Sequence, residues 1–284
     1  MHGHVITSYD RIHSELFDEV TEVLSMKRKY NHNGIYLLPN LFTTASLFSA
    51  FYSIIASLKG QYNIAVMAIF IGMVMDALDG RIARMTNTQT DFGAEYDSLS
   101  DMVTFGVAPS VLLYSWGLER LGKLGWLAAF IYTAAVALRL ARFNTQLETA
   151  DKRYFQGLAC PAAAAVLASF VWVCDSGHGA GLWTGGLAIG FLLSVAALMV
   201  SNVRYYSFKE LDLKGKIPFL HVLVIVLVFA AIAISPATML FVTSLGYALS
   251  GPLHTLLGLK KARVKRRSIP FRKRSRASKE HMKK

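Results

Sequence analysis

Cysteine, charge and metal-type histidine spacing are all scarce in this chain, and each scarcity excludes a class. Two cysteines, Cys160 and Cys174, in 284 residues cannot build a disulfide scaffold. Neither stands in a metal-type spacing, so both are expected to act as small apolar residues inside helices. Charged residues make up only 17% and apolar residues 54%. That composition excludes a disordered chain, and it argues against a soluble nucleic-acid-binding protein despite a net charge of +12. The eight histidines are scattered, and no two share a metal-ligand spacing within an apolar segment. Neither zinc chemistry nor a Ser-His-Asp arrangement has support. No internal repeat or inverted half is visible, which removes the usual mark of a secondary transporter.

What is present is grease with a charged end. Residues 259–284 hold thirteen Lys and Arg and one acid, Glu280, whereas residues 1–258 hold seventeen of each sign. The body is formally neutral and the net charge belongs to the tail. Long apolar stretches recur at roughly 36–58, 62–82, 97–118, 124–143, 159–176, 182–203, 217–235 and 237–257, each near the ~20 residues that cross a bilayer. With both termini cytoplasmic, only Lys59, Arg120 and Lys123 of the 30 basic residues lie on the outer side. That bias requires an even number of crossings: eight as read, or six if the ends are misread. No basic stretch runs directly into an apolar one at the start, so no signal peptide is expected. Instead Ile12, Leu16, Val20 and Leu24 recur at helical spacing, which fits an amphipathic helix lying in the interface or a solvated helix packed on a neighbour.

Charges inside apolar segments are expensive and call for a reason. Asp76 and Asp79 stand i,i+3 at the end of the second segment, and Asp97 and Asp101 stand i,i+4 at the start of the third. The connection from Met85 to Thr90 is short and polar, so a helical hairpin brings both pairs to one depth, near the cytoplasmic boundary. Four carboxylates there would repel one another without cations. Two divalent ions compensate them, and all-oxygen ligands favour Mg²⁺ or Mn²⁺. Helix-end acids paired with Arg81, Arg84 or Arg142 are the structural alternative.

The pattern Asp76-x2-Asp79-Gly80-x2-Ala83-Arg84-x8-Gly93-x3-Asp97-x3-Asp101 resembles the signature of the CDP-alcohol phosphatidyltransferase family at every fixed position. The resemblance implies an all-α, polytopic membrane helical bundle, usually a homodimer, with six core transmembrane helices. Two C-terminal helices bring the expected total to about eight. Four regions follow: 1–34 with the amphipathic helix, a core at 35–210, two added helices at 211–258, and a basic cytoplasmic tail at 259–284. By the same resemblance, Asp76, Asp79, Asp97 and Asp101 ligate two divalent cations, and Asp101 is also the general base. Gly80 and Gly93 would let a nucleotide approach closely, and Arg84 would reach a phosphate. Arg81 either does likewise or snorkels. Asn40 and Thr43 either border the cytidine pocket or simply start a helix after Pro39.

Further segments narrow the acceptor. Ser98 to Pro109, Arg139-Leu140-Ala141-Arg142-Phe143-Asn144, Phe155 to Ala163 and Met199 to Tyr205 are similar to the membrane-integral, serine-accepting branch of the family. One departure is Ala159, where that branch usually has proline. The branch implies transfer of the phosphatidyl group of CDP-diacylglycerol to L-serine, giving phosphatidylserine and CMP at the inner membrane. A zwitterionic acceptor needs a cation for its carboxylate, and Arg139, Arg142 and Asn144 are the candidates; positive-inside anchoring is the alternative for the arginines. A sister enzyme using glycerol 3-phosphate or an inositol-type acceptor is the nearest competing reading, and a carboxylate-lined cation transporter the more distant one. The tail reads as a disordered extension that binds anionic lipid headgroups or enforces topology, with no nucleic-acid partner expected.

Overall fold

The computed structural model describes residues 37–86, 88–146, 154–177, 182–206 and 233–267. The expected N-terminal amphipathic helix, the seventh apolar segment up to residue 232 and the tail beyond Arg267 lie outside the described residues.

Within them the chain is a helical bundle: α1 (Leu37–Leu58), α2 (Tyr62–Thr86), α3 (Asp91–Asp101), α4 (Ala108–Leu113), α5 (Lys123–Gln146), α6 (Cys160–Gly177), α7 (Leu182–Val200) and α8 (Pro236–Arg267). Three helices are long and apolar enough to cross a membrane, α1, α2 and α5, and α6 and α7 contain shorter apolar helices. The third expected span is helical throughout but irregular. Between α3 and α4 runs a π-helical stretch, Met102–Val107, and a second one, Tyr114–Leu118, follows α4. At 25 residues α2 overruns its expected end at 82, so its aspartates lie inside the helix rather than at its terminus. The first part of the basic tail, expected to lack regular structure, continues α8 as helix to Arg267.

Small residues let the first two helices approach. Thr43, Ser46, Ala50, Ser53 and Ser57 form the buried stripe of α1, and Gly72 meets it from α2, where a Cβ would stand 3.1 Å from Thr104 Cγ2. Apolar burial has little driving force in lipid, so close backbones and interhelical hydrogen bonds take over. Ser46 donates to the Gly72 carbonyl at 3.0 Å and Ser53 to that of Ala65 at 2.8 Å. At the irregular third span, Pro109 has no N–H to return to the Phe105 carbonyl four residues back. The buried Tyr132 hydroxyl of α5 donates to that carbonyl at 2.8 Å instead, a substitution a bilayer core requires because water cannot make it.

One departure from an all-helical chain is a short antiparallel ribbon, β1 (Tyr154–Gln156) with β2 (Arg204–Tyr206), in register Phe155↔Tyr205. These segments run outside the helices, and pairing satisfies backbone groups that no helix can. Gly157 follows β1 at φ 78°, and the Met199 carbonyl occupies the space where a Cβ would go. A left-handed turn pressed against another backbone admits only glycine. It delivers the chain into α6 with the Gly157 N–H on the Val203 carbonyl at 2.9 Å and the Leu158 N–H on that of Leu198 at 3.1 Å.

Candidate active site

The acidic hairpin is built as its spacing implies. Thr90 caps α3, accepting the Gly93 N–H at 3.0 Å, and this starts the helix where its next turns face α2. Ser100 donates to the Thr43 carbonyl at 3.2 Å and pins α3 against α1. Carboxylate oxygens of Asp76, Asp97 and Asp101 then all lie within 4.8 Å of one another.

Asp79 is turned aside. It is only 5% exposed, and it accepts the Thr43 hydroxyl at 2.7 Å. It remains within electrostatic reach of Asp97 and Asp101. Three of the four aspartates therefore gather tightly, and the fourth flanks them. Thr43, read either as bordering the nucleotide or as part of a plain helix start, is buried, and its hydroxyl has the Asp79 carboxylate at 2.7 Å and the Pro39 carbonyl at 3.2 Å as acceptors.

Asp97 Oδ1 and Asp101 Oδ1 are buried and have no hydrogen-bond partner among the described residues. Orphaned carboxylate oxygens in a group of three are costly on their own. Hard oxygen donors at this spacing fit a divalent cation of the Mg²⁺ or Mn²⁺ class, so the residues present suit the metal that the signature implies.

The remaining candidates fall into two groups around this cluster. On one side, Asn40 Oδ1 would lie 3.5 Å from a Cβ at Gly93, so the starts of α1 and α3 meet there. Among the described residues, Gly80 has nothing within 4 Å of the Cβ position, so their packing does not demand glycine, and the face stays open to a ligand. Arg81 and Arg84 are exposed nearby, with Arg84 Nε donating to the Gly80 carbonyl at 2.8 Å.

On the other side, the three acceptor candidates prove unequal. Arg142 donates from Nη2 to Asn202 Oδ1 at 2.7 Å, and Asn144 donates to Ser98 Oγ at 3.0 Å. Both join elements of the bundle. Arg139 donates to the Cys160 thiol at 3.2 Å, and its buried Nε has no partner among the described residues. A thiol is a weak acceptor, so this guanidinium keeps donor capacity for an anion. Cys160 is buried and lies within electrostatic reach of both Arg139 and Asp101. The expectation that it would be merely a small apolar residue is corrected: its sulfur holds the arginine. Nothing local in the sequence signals that pairing, because the two residues are 21 positions apart.

Comparison with known proteins bears on the same segment. A family model described as CDP-alcohol phosphatidyltransferase matches residues 36–203. Similar curated proteins include a CDP-diacylglycerol–serine O-phosphatidyltransferase of Helicobacter pylori strain J99, 39% identical over 197 residues, covering 69% of this chain and 83% of that protein. One of the same name from Bacillus subtilis strain 168 is 35% identical over 173 residues, 61% of this chain and 92% of that protein. An archaetidylserine synthase of Methanothermobacter thermautotrophicus is 32% identical over 170 residues, 59% of this chain and 69% of that protein. With the model match spanning more than half the sequence and enclosing all four aspartates, this chain belongs to the CDP-alcohol phosphatidyltransferase family.

Proposed function

We propose that the protein transfers the phosphatidyl group of CDP-diacylglycerol to the hydroxyl of L-serine, releasing CMP. The observation that carries this reading is a group of three close carboxylates, two with orphaned oxygens, in one bundle with a half-buried arginine whose buried Nε has no partner among the described residues. The serine oxygen forms a bond to the phosphorus that bears the diacylglycerol, and the bond from that phosphorus to the oxygen of CMP breaks. Asp101 accepts the hydroxyl proton. Arg139 holds the serine carboxylate, which orients the hydroxyl and discriminates against acceptors lacking that group. Gly80, Arg84, Gly93 and Asn40 border the space for the nucleotide and its phosphates, with Arg81 at its rim. Asp76, Asp97 and Asp101 would hold divalent cation, with Asp79 beside them completing the ligands for a second. When bound, such cations stabilise charge on the attacking and leaving oxygens.

Purified protein in detergent, with CDP-diacylglycerol, Mg²⁺ or Mn²⁺ and a panel of acceptor alcohols, should release CMP when serine is added. Preference for glycerol 3-phosphate or inositol would overturn the acceptor. Cation flux in sealed vesicles with no CMP release under any acceptor would overturn the enzyme reading.

The neutral body and basic end support a reading in which the aspartates and both termini lie on the cytoplasmic side of the cell membrane. Beyond Leu259 the basic residues would bind anionic headgroups, each contributing about 1 kcal/mol near the surface. A chain truncated after Leu259 should bind vesicles containing phosphatidylglycerol more weakly while still releasing CMP in detergent. Equal vesicle binding by both chains would remove the lipid role of the tail.

A further inference from the structure

The family match ends at residue 203, yet α8, far beyond it, packs on the core through Phe241 against Phe170 and Phe191 and is keyed to the ribbon at one place. Pro252 stands inside α8 and has no N–H, so the Ala248 carbonyl four residues earlier loses its helical donor. The Tyr205 hydroxyl of β2 donates to that carbonyl at 2.9 Å. Gly251 allows the approach, because a Cβ there would run into the Tyr205 ring. Tyr205 is 1% exposed, and its ring centroid lies 5.6 Å from that of Tyr247. Gly251 and Pro252 thus form a notch that one tyrosine fills. Pro109, Phe105 and Tyr132 show the same exchange within the core, but here it joins the core to an element outside it.

The ribbon links the notch to the acceptor side of the site. Tyr205 lies on the ribbon that leads through Gly157 to Cys160 at the start of α6, and Cys160 accepts from Arg139. Tyr247, one turn before the notch, packs against the buried cluster that contains both Tyr205 and Cys160. It also lies within electrostatic reach of Arg139.

We propose that α8 forms a wall of the acceptor pocket, and that Tyr205, seated in the Gly251–Pro252 notch, is the positioning residue that keeps Tyr247 beside Arg139. This rests on the acceptor role assigned to Arg139. Tyr205 touches no reacting atom and acts through α8. When its hydroxyl is lost, α8 is released from the ribbon and the space around Arg139 loosens. Binding of the acceptor then suffers, while the nucleotide side, built from the starts of α1 and α3 and the end of α2, is untouched.

The test is a kinetic cycle on the full chain. Y205F should raise the KM for serine about tenfold, the scale of one buried hydrogen bond, and leave the KM for CDP-diacylglycerol within about twofold. P252A returns an N–H to the helix, so in that background Y205F should have no further effect on serine KM. Tyr247→Leu leaves the notch intact and should raise serine KM as Y205F does. An unchanged serine KM in Y205F, equal rises in both KM values, or an undiminished Y205F effect in P252A would each overturn the proposal. Should Y205F fail to assemble, an unchanged serine KM in Tyr247→Leu overturns it alone. Thermal unfolding of the four notch variants in detergent reads the Tyr205–Pro252 coupling without catalysis. Wild-type protein that ignores serine therefore refutes the acceptor reading, and additive unfolding shifts refute the notch.

Discussion

Asp101→Asn should lower serine-dependent CMP release by about 10³-fold, within the range by which a positioned general base accelerates a reaction. The side chain keeps its shape, so the change isolates charge and basicity. Asp101 Oδ1 is buried without a partner, and in the aspartate it is free to take a proton. An amide in its place can accept a weak hydrogen bond but cannot take up the proton at neutral pH. Asp97→Asn removes a charge from the same group of three carboxylates, but it lies one helical turn away and has no assigned proton to move. Raising Mg²⁺ or Mn²⁺ should therefore recover part of the Asp97→Asn loss and little of the Asp101→Asn loss. Rates measured across a divalent-ion titration check this. Equal recovery in both variants would take the general-base role away from Asp101 and leave it as a ligand only.

Arg139→Gln should raise the KM for serine by roughly 30- to 100-fold with a much smaller change in the KM for CDP-diacylglycerol. A hydrogen bond to a charged group contributes about 2–3 kcal/mol, and about 1.4 kcal/mol is a factor of ten. Glutamine keeps the aliphatic stem and a polar end but stops short of the Nη1 atom that contacts the Cys160 sulfur at 3.2 Å, so part of the local packing is kept while the cation is lost. Arg139→Lys should recover only part, because a point charge cannot reproduce the planar fork on a carboxylate. Arg142 supplies the contrast. Its guanidinium already donates to Asn202 Oδ1 and to the Val200 carbonyl, so Arg142→Ala should lower the unfolding temperature in detergent more than it changes serine KM. Serine KM values for these variants decide the assignment, and a larger rise in Arg142→Ala than in Arg139→Gln would move the acceptor carboxylate to Arg142.

Much of this was legible along the chain because it depends on local spacing. Apolar length marks α1, α2 and α5 as spans, since a bilayer demands about 20 apolar residues whatever packs beside them. The i,i+3 and i,i+4 aspartates on two helices joined by a short turn had to come together, because a hairpin leaves them no other depth. Asp76, Asp97 and Asp101 did so. The basic residues past Leu259 were equally plain from composition.

Tertiary structure decided whatever rests on partners distant in sequence. Asp79 has the same local credentials as Asp76, yet a threonine 36 positions earlier takes its oxygen, and no periodicity encodes that. Arg139, Arg142 and Asn144 were equivalent as cations or amides at one end of a helix. Only tertiary packing gives Arg142 an oxygen partner just after α7 and Asn144 one on α3, and leaves Arg139 with a thiol and, among the described residues, a vacant Nε. Pro252 inside α8 reads from sequence as a helix breaker. It is tolerated because Tyr205, 43 positions before Ala248, carries the missing donor across to it. Apolar length and local charge spacing act on each segment by itself. The choice of hydrogen-bond partner is made only when helices meet, in a medium where an unmet donor or acceptor has no water to fall back on.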